Sequence, residues 1–171
     1  MKTHILLLSA VVGILTVGGC GKNVGWLLKP VVLTPDLTET QIRKDKGLFV
    51  TKKIVVVDVD GLLMNDRREG MFAPNENPVS LFVEKLDKAA KDRDVKALVL
   101  RINSPGGGVT ASDIMYGRLR KFREEKNVPV IAVMEDVAAS GGYYIACGAD
   151  TIVAHPTTTT GSIGVTVQTV S

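Results

Sequence analysis

The 171-residue sequence predicts an α/β protein with a mostly parallel sheet, and three observations point that way. Apolar runs at 54–59, 97–102 and 130–134, interrupted only by Asp58 and Arg101, contain β-branched residues, as buried parallel strands do. Between them lie segments whose apolar residues recur at helical spacing. Glycine-rich stretches follow the second and third runs. The implied order is β-α-β-α-β-α-β, which right-handed crossovers join into one sheet.

Each element has its own signal. Residues 54–59, Ile-Val-Val-Val-Asp-Val, predict the first strand, and residues 60–78, with Asn65, Pro74 and Pro78, predict a loop. Val79, Phe82, Val83, Leu86, Ala89 and Ala90 form the stripe of an amphipathic helix over 79–93, with Glu84, Lys85, Lys88 and Lys91 largely opposite. The second strand, 97–102, leads into the loop Asn103-Ser104-Pro105-Gly106-Gly107-Gly108. Thr110 with Asp113 three residues on resembles a capping box, and Ala111, Ile114, Met115, Leu119 and Phe122 mark the second helix. The third strand, 130–134, is expected to end at Glu135-Asp136, before Val137-Ala138-Ala139-Ser140-Gly141-Gly142 and a short helix over 143–147. Cys147 then reads as a core filler.

Before that core the chain changes character. Lys2 precedes a run at 5–17 that is apolar except for Ser9 and Thr16, and Gly18-Gly19-Cys20 follows. This is the layout of a secretory signal, and the run is shorter than the ~20 apolar residues that span a bilayer. Its ending resembles the bacterial lipobox, in which Cys20 is acylated and becomes the first mature residue. Residues 1–19 are therefore read as a lipoprotein-type signal peptide, 20–52 as a tether, and 53–171 as the N-terminal part of a folded domain.

Charge narrows the partners. The formal charge is +3, yet all 21 Lys and Arg residues lie at or before Lys126, and Glu135, Asp136 and Asp150 are the only charged residues after it. No basic cluster accompanies the glycine loops, which argues against nucleic acid. No metal or cofactor is implied.

In a parallel α/β fold, sites gather in the loops that leave the carboxyl ends of strands. Gly106, Gly107 and Gly108 offer backbone N–H groups unobstructed by side chains. Ser140 stands at a helix start, where it and the Gly141 amide could serve a nucleophile and an oxyanion. The plainer alternative is that both glycine stretches only allow tight turns and close helix packing. A phosphate cradle is weak, since no Lys-Ser or Lys-Thr follows the glycines.

Three stretches taken together, 103–108, 136–144 and Thr160-Gly161-Ser162-Ile163-Gly164-Val165, resemble the signal peptide peptidase A family, the S49 serine peptidases. The resemblance implies a fold of the Clp protease/crotonase superfamily, Ser140 as nucleophile, a lysine as general base, and Gly106, Gly107 and Gly141 around the oxyanion. It also implies a homo-oligomeric enclosure at the membrane of the bacterial cell envelope, on its extracytoplasmic side, digesting leftover signal peptides and other extended peptides. The family's lysine comes well after the serine, whereas here Lys126 is the last lysine, so the chain is expected to be the front part of a longer peptidase. His155 is the other titratable candidate, in a strand-end setting. Two alternatives stay open: a catalytically inactive, lipid-anchored binding module, and a haloacid-dehalogenase-type phosphatase using Asp58 and Asp60.

Overall fold

The computed structural model describes residues 37–43, 51–66 and 77–167. The signal at 1–19, Cys20 and much of the 20–52 tether lie outside the described residues. Five strands, β1 (Lys53–Leu63), β2 (Val95–Gly107), β3 (Val130–Ala139), β4 (Thr151–Ala154) and β5 (Thr159–Gly161), form one parallel sheet. The path is β1-β2-β3-β4, with β5 pairing further along β3. Three helices connect them: α1 (Pro78–Lys91), α2 (Val109–Lys126) and α3 (Gly141–Ala146).

Sequential strands joined by right-handed crossovers carry their helices to the same face of the sheet. Burial agrees. Val57, Val59, Leu98, Leu100, Ile102, Val130, Ala132 and Met134 are buried, and they pack with Phe82 and Leu86 of α1, Met115, Leu119 and Phe122 of α2, and Ile145 of α3. The register puts Val56, Val99 and Ile131 in one row across the other face, and Asp58, Arg101, Val133 and Val153 in the next. Those residues are half-buried or exposed, so the strands are covered on one face among the described residues, not on both as the apolar runs predict.

The helices begin and end for local reasons. Asn77 caps α1, its side-chain oxygen accepting from the Val79 and Ser80 amides at 2.9 and 3.2 Å, and Pro78 occupies the first turn, where no partner for an N–H is lost. The Thr110/Asp113 capping box does not form. Gly108 is the N-cap of α2 and makes no side-chain cap bond. The helix ends at Asn127 in the left-handed conformation (φ 50°). Midway along α2, Gly117 is exposed and a Cβ there would meet nothing within 4 Å, although glycine costs a helix roughly 1 kcal/mol relative to alanine.

Two strands are longer than their apolar runs. β2 continues through 103–107, because β1 also continues and pairs Leu62 and Leu63 with Gly106 and Gly107 beyond a register shift. Pro105, which cannot donate to a ladder, sits within that irregularity. β3 passes Glu135-Asp136 to Ala139, since Ala138 pairs with Ser104 on one side and Thr160 on the other. Cys147 is exposed at the end of α3, not buried as its apolar neighbours predict. No helix among the described residues is long and apolar enough to cross a membrane.

Candidate active site

The extension of β3 decides where the serine sits. The chain turns at one residue, Ser140, between the last strand residue, Ala139, and the first helical residue, Gly141. Its backbone has φ 48° and ψ −118°, a region that side chains beyond glycine rarely occupy and that costs on the order of 1–3 kcal/mol. Neighbouring bonds hold it there. The Ser140 amide donates to the Gly161 carbonyl at 2.7 Å, and the Ser140 carbonyl accepts from the Tyr144 amide at 2.9 Å. Thr160 adds an Oγ1 bond to the Ala138 carbonyl at 2.8 Å. The result is a half-buried serine lifted onto a sharp strand-to-helix turn.

The other glycine loop lies directly against it. A Cβ on Gly106 would come within 2.6 Å of the Gly141 nitrogen and 2.8 Å of the Ser140 Cβ, and Gly106 has φ +93°. Only glycine fits on both counts. Side chains at Gly107 and Gly141 would collide with the Leu63 carbonyl and with the Ser112 side chain respectively, and one at Gly142 with the Ser104 carbonyl at 2.8 Å. The three separated stretches of sequence are thus brought together: 103–108 and 160–161 both flank the Ser140 turn.

Of the expected oxyanion residues, Gly106 is differently employed. Its amide donates to Ser104 Oγ at 3.1 Å. Gly107 is exposed beside it, and Gly141 opens α3, where first-turn N–H groups have no partner within the helix.

Residue-level reading of the sequence missed Ser104. It is fully buried, and its hydroxyl donates to the Gly61 carbonyl at 2.6 Å while accepting from Gly106. One side chain therefore ties two positive-φ glycines, Gly61 at +69° and Gly106 at +93°, across β1 and β2. Ser112, also buried, donates from Oγ to the Gly108 carbonyl at 3.0 Å and backs onto Gly141. Asn103 Oδ1 accepts from the Val137 amide at 3.3 Å. The signal for Ser104 was present in its alternation with Ile102 and Gly106, but a polar residue before proline reads as loop.

The remaining candidates lie elsewhere. Lys126 ends α2 and donates to the Ala90 and Asp92 carbonyls at 3.0 and 2.5 Å, near the strand starts, opposite the Ser140 end of the sheet. His155 follows β4 level with Met134, several residues short of Ser140, and its Nδ1 lies 2.8 Å from Thr157 Oγ1 in a local turn. Asp58 sits mid-strand and takes Arg101 Nε at 2.7 Å, and Glu135 lies 3.6 Å from the same atom. That ion pair raises the Arg101 pKa. Asp58 is thus engaged away from any strand-end loop, contrary to the phosphatase reading. Among the described residues, no group of three or more His, Cys, Asp and Glu is arranged to hold a metal.

Known proteins resemble this chain in sequence and in fold. The model for peptidase family S49 matches residues 122–171. A protein of Enterococcus faecium named for signal peptide peptidase SppA is 37% identical over 117 residues, covering 68% of this chain and 34% of the relative. Protease 4 of Haemophilus influenzae is 40% identical over 116 residues, 68% of this chain and 18% of its own length. The chain thus spans about a third or less of these curated relatives. Among solved structures, the membrane-bound stomatin-specific protease 1510-N in complex with a substrate peptide superimposes with a TM-score of 0.53 at 22% identity, over 67% of this chain and 47% of that one. That likeness shows a shared fold, while the identity to the curated relatives and the family match, which includes the Ser140 turn, show descent: the chain belongs to peptidase family S49.

Proposed function

We propose that this chain carries the nucleophile and oxyanion loops of a membrane-associated serine endopeptidase of the serine-lysine type, acting on leftover signal peptides and other extended chains. The observation that carries the reading is the strained Ser140 turn packed against Gly106. Ser140 Oγ attacks the peptide carbonyl, its proton passes to a lysine, and the amides of Gly107 and Gly141 receive the negative charge that forms on oxygen. Gly106 shapes the loop. Losing one such donor raises the barrier by about 3–4 kcal/mol. A serine hydroxyl needs a base within roughly 2.6–3.2 Å, and Lys126 is committed to the opposite end of the sheet, so the lysine comes from elsewhere in the full enzyme. The relatives' names support the peptide substrate class.

In this reading, residues 1–19 are removed and Cys20 is acylated. The lipid holds the domain at the bacterial envelope on the extracytoplasmic side. Each buried methylene of an acyl chain contributes about 0.8 kcal/mol, so more than one chain is needed for stable anchoring. A mass spectrum of membrane-extracted protein beginning at an unmodified Met1 would remove the anchor from the proposal.

A fluorophosphonate probe tests the nucleophile in the full-length enzyme. Labelling of the wild type and its loss in Ser140→Ala is the expected result, and equal labelling of both excludes Ser140. No labelling of the wild type favours the second reading, a lipid-anchored binding module, which the distant Lys126 motivates.

A further inference from the structure

The threonine run, Thr157 to Thr160, lies where β3 changes partner. Met134 is the last β3 residue paired with β4, and Val137 is the first paired with β5. Against Glu135 and Asp136 the neighbouring chain makes an excursion of its own, from His155 to Thr158, and then returns as a strand. The excursion closes as a turn, with the Thr158 amide donating to the His155 carbonyl at 2.9 Å and the Thr157 amide to His155 Nδ1 at 3.3 Å.

The strand that follows matters to the site out of proportion to its size. The Gly161 carbonyl at its end accepts from the Ser140 amide at 2.7 Å, and so helps hold the serine at φ 48° and ψ −118°. Burial does not hold β5 in place, because Thr159 and Thr160 are exposed and Gly161 is only half-buried. A strand this short, with so little apolar contact, opens easily unless polar bonds fix it. The Thr160 hydroxyl supplies one such bond within the ladder. Thr158 supplies the other, in the gap where β3 has no ladder partner on that side. Its half-buried hydroxyl reaches the Glu135 carbonyl at 2.7 Å and the Met134 carbonyl at 3.1 Å, and its single proton is shared between them.

We propose that Thr158 is a positioning residue for Ser140. Its hydroxyl fastens the incoming end of β5 to β3, and β5, through the Gly161 carbonyl, holds the serine in its turn. The inference rests on the peptidase reading for its effect on catalysis, but not for its effect on the Ser140 amide.

Hydrogen exchange in the full-length enzyme reads that amide directly. Thr158→Val keeps the branched shape and removes the hydroxyl, so exchange at Ser140 should rise about fivefold, the worth of one hydrogen bond. Amides of α1 should exchange as in the wild type. Thr158→Ser should restore the slow exchange at Ser140. Thr159→Val should leave it unchanged, since that side chain makes no hydrogen bond among the described residues. In peptide hydrolysis, Thr158→Val should lower kcat about fivefold with KM unchanged, and Thr158→Ser should recover it. Unchanged exchange at Ser140 in Thr158→Val overturns the proposal. So does exchange that quickens equally in α1, which would mark a general loss of stability, and so does a serine variant that fails to restore it. Where the exchange results hold and no peptide is cleaved even by the wild type, the peptidase reading falls and the fastening of Ser140 by Thr158 stands.

Discussion

Ser104 contributes nothing to the surface of the molecule, yet two backbone groups depend on it. Replacing it with alanine leaves the Gly61 carbonyl and the Gly106 amide without their hydroxyl partner in a buried setting, at about 1–3 kcal/mol for each group not otherwise satisfied. Ser104→Ala is therefore expected to lower the midpoint of urea unfolding with an unchanged slope. Gly106→Ala should cost at least as much, because its Cβ meets the Gly141 nitrogen at 2.6 Å in a backbone region that alanine avoids. In that variant the fluorophosphonate labelling proposed for Ser140 should also fall, since the atoms displaced are those of the Ser140 turn. An unfolding curve matching the wild type for both variants would show that these contacts do not hold the loop. How far such residues could be read in advance depends on their partners. Ser140 announces itself by its small neighbours, whereas Ser104 ties Gly106 to Gly61, which is 43 residues away from it in sequence.

At the scale of elements, caps decide where helices begin, and Asn77 is the clear case. Its carboxamide satisfies two first-turn amides of α1, so Asn77→Ala should cost about 1 kcal/mol, in the range of 0.5–2 for lost caps. Thermal unfolding checks this, and Asn77→Asp should retain most of the stability. The α1 stripe of Val79, Phe82, Leu86 and Ala89 was legible because a helix on a sheet must present apolar residues at 3.6-residue spacing. The ends of β2 and β3 were not. Their last residues, Asn103 to Gly107 and Glu135 to Ala139, are apart from Val137 residues of weak strand propensity, and they are strands because β1 and β5 pair alongside them.

For the molecule as a whole, the ion pair at the start of the sheet sets a pH signature. Lys53 Nζ lies 2.8 Å from Asp92 Oδ2 and 3.0 Å from Glu39 Oε2, joining the start of β1 to the end of α1. The bond to Asp92, then that to Glu39, raises the Lys53 pKa above its ordinary 10.5. The bond to Lys53, then the Asp94 amide, lowers that of Asp92 below 3.8. A depressed carboxyl stabilises the fold above its unfolded pKa, and that contribution is lost as pH falls through the folded value. A raised amine contributes in full below 10.5 and loses its effect as pH rises through its folded value. The difference in thermal midpoint between wild type and Asp92→Asn should therefore be widest at neutral pH and narrow at both extremes. Added salt should shrink it, because the groups are exposed. A difference that is constant with pH would exclude the pair as its source.

The alternation of strands and helices, the central runs of the first three strands, the amphipathic face of α1 and the identity of the Ser140 turn follow from the sequence alone, because each depends on periodicity and turn chemistry within a few residues. The meeting of Gly106, Ser140 and Gly161, the burial of Ser104, the separation of Lys126 and His155 from the serine, and the open second face of the sheet depend on strand order and register. Those are set by contacts between residues far apart in sequence. Local pattern carries no information on which strand lies beside which, and the geometry of this site is made of little else.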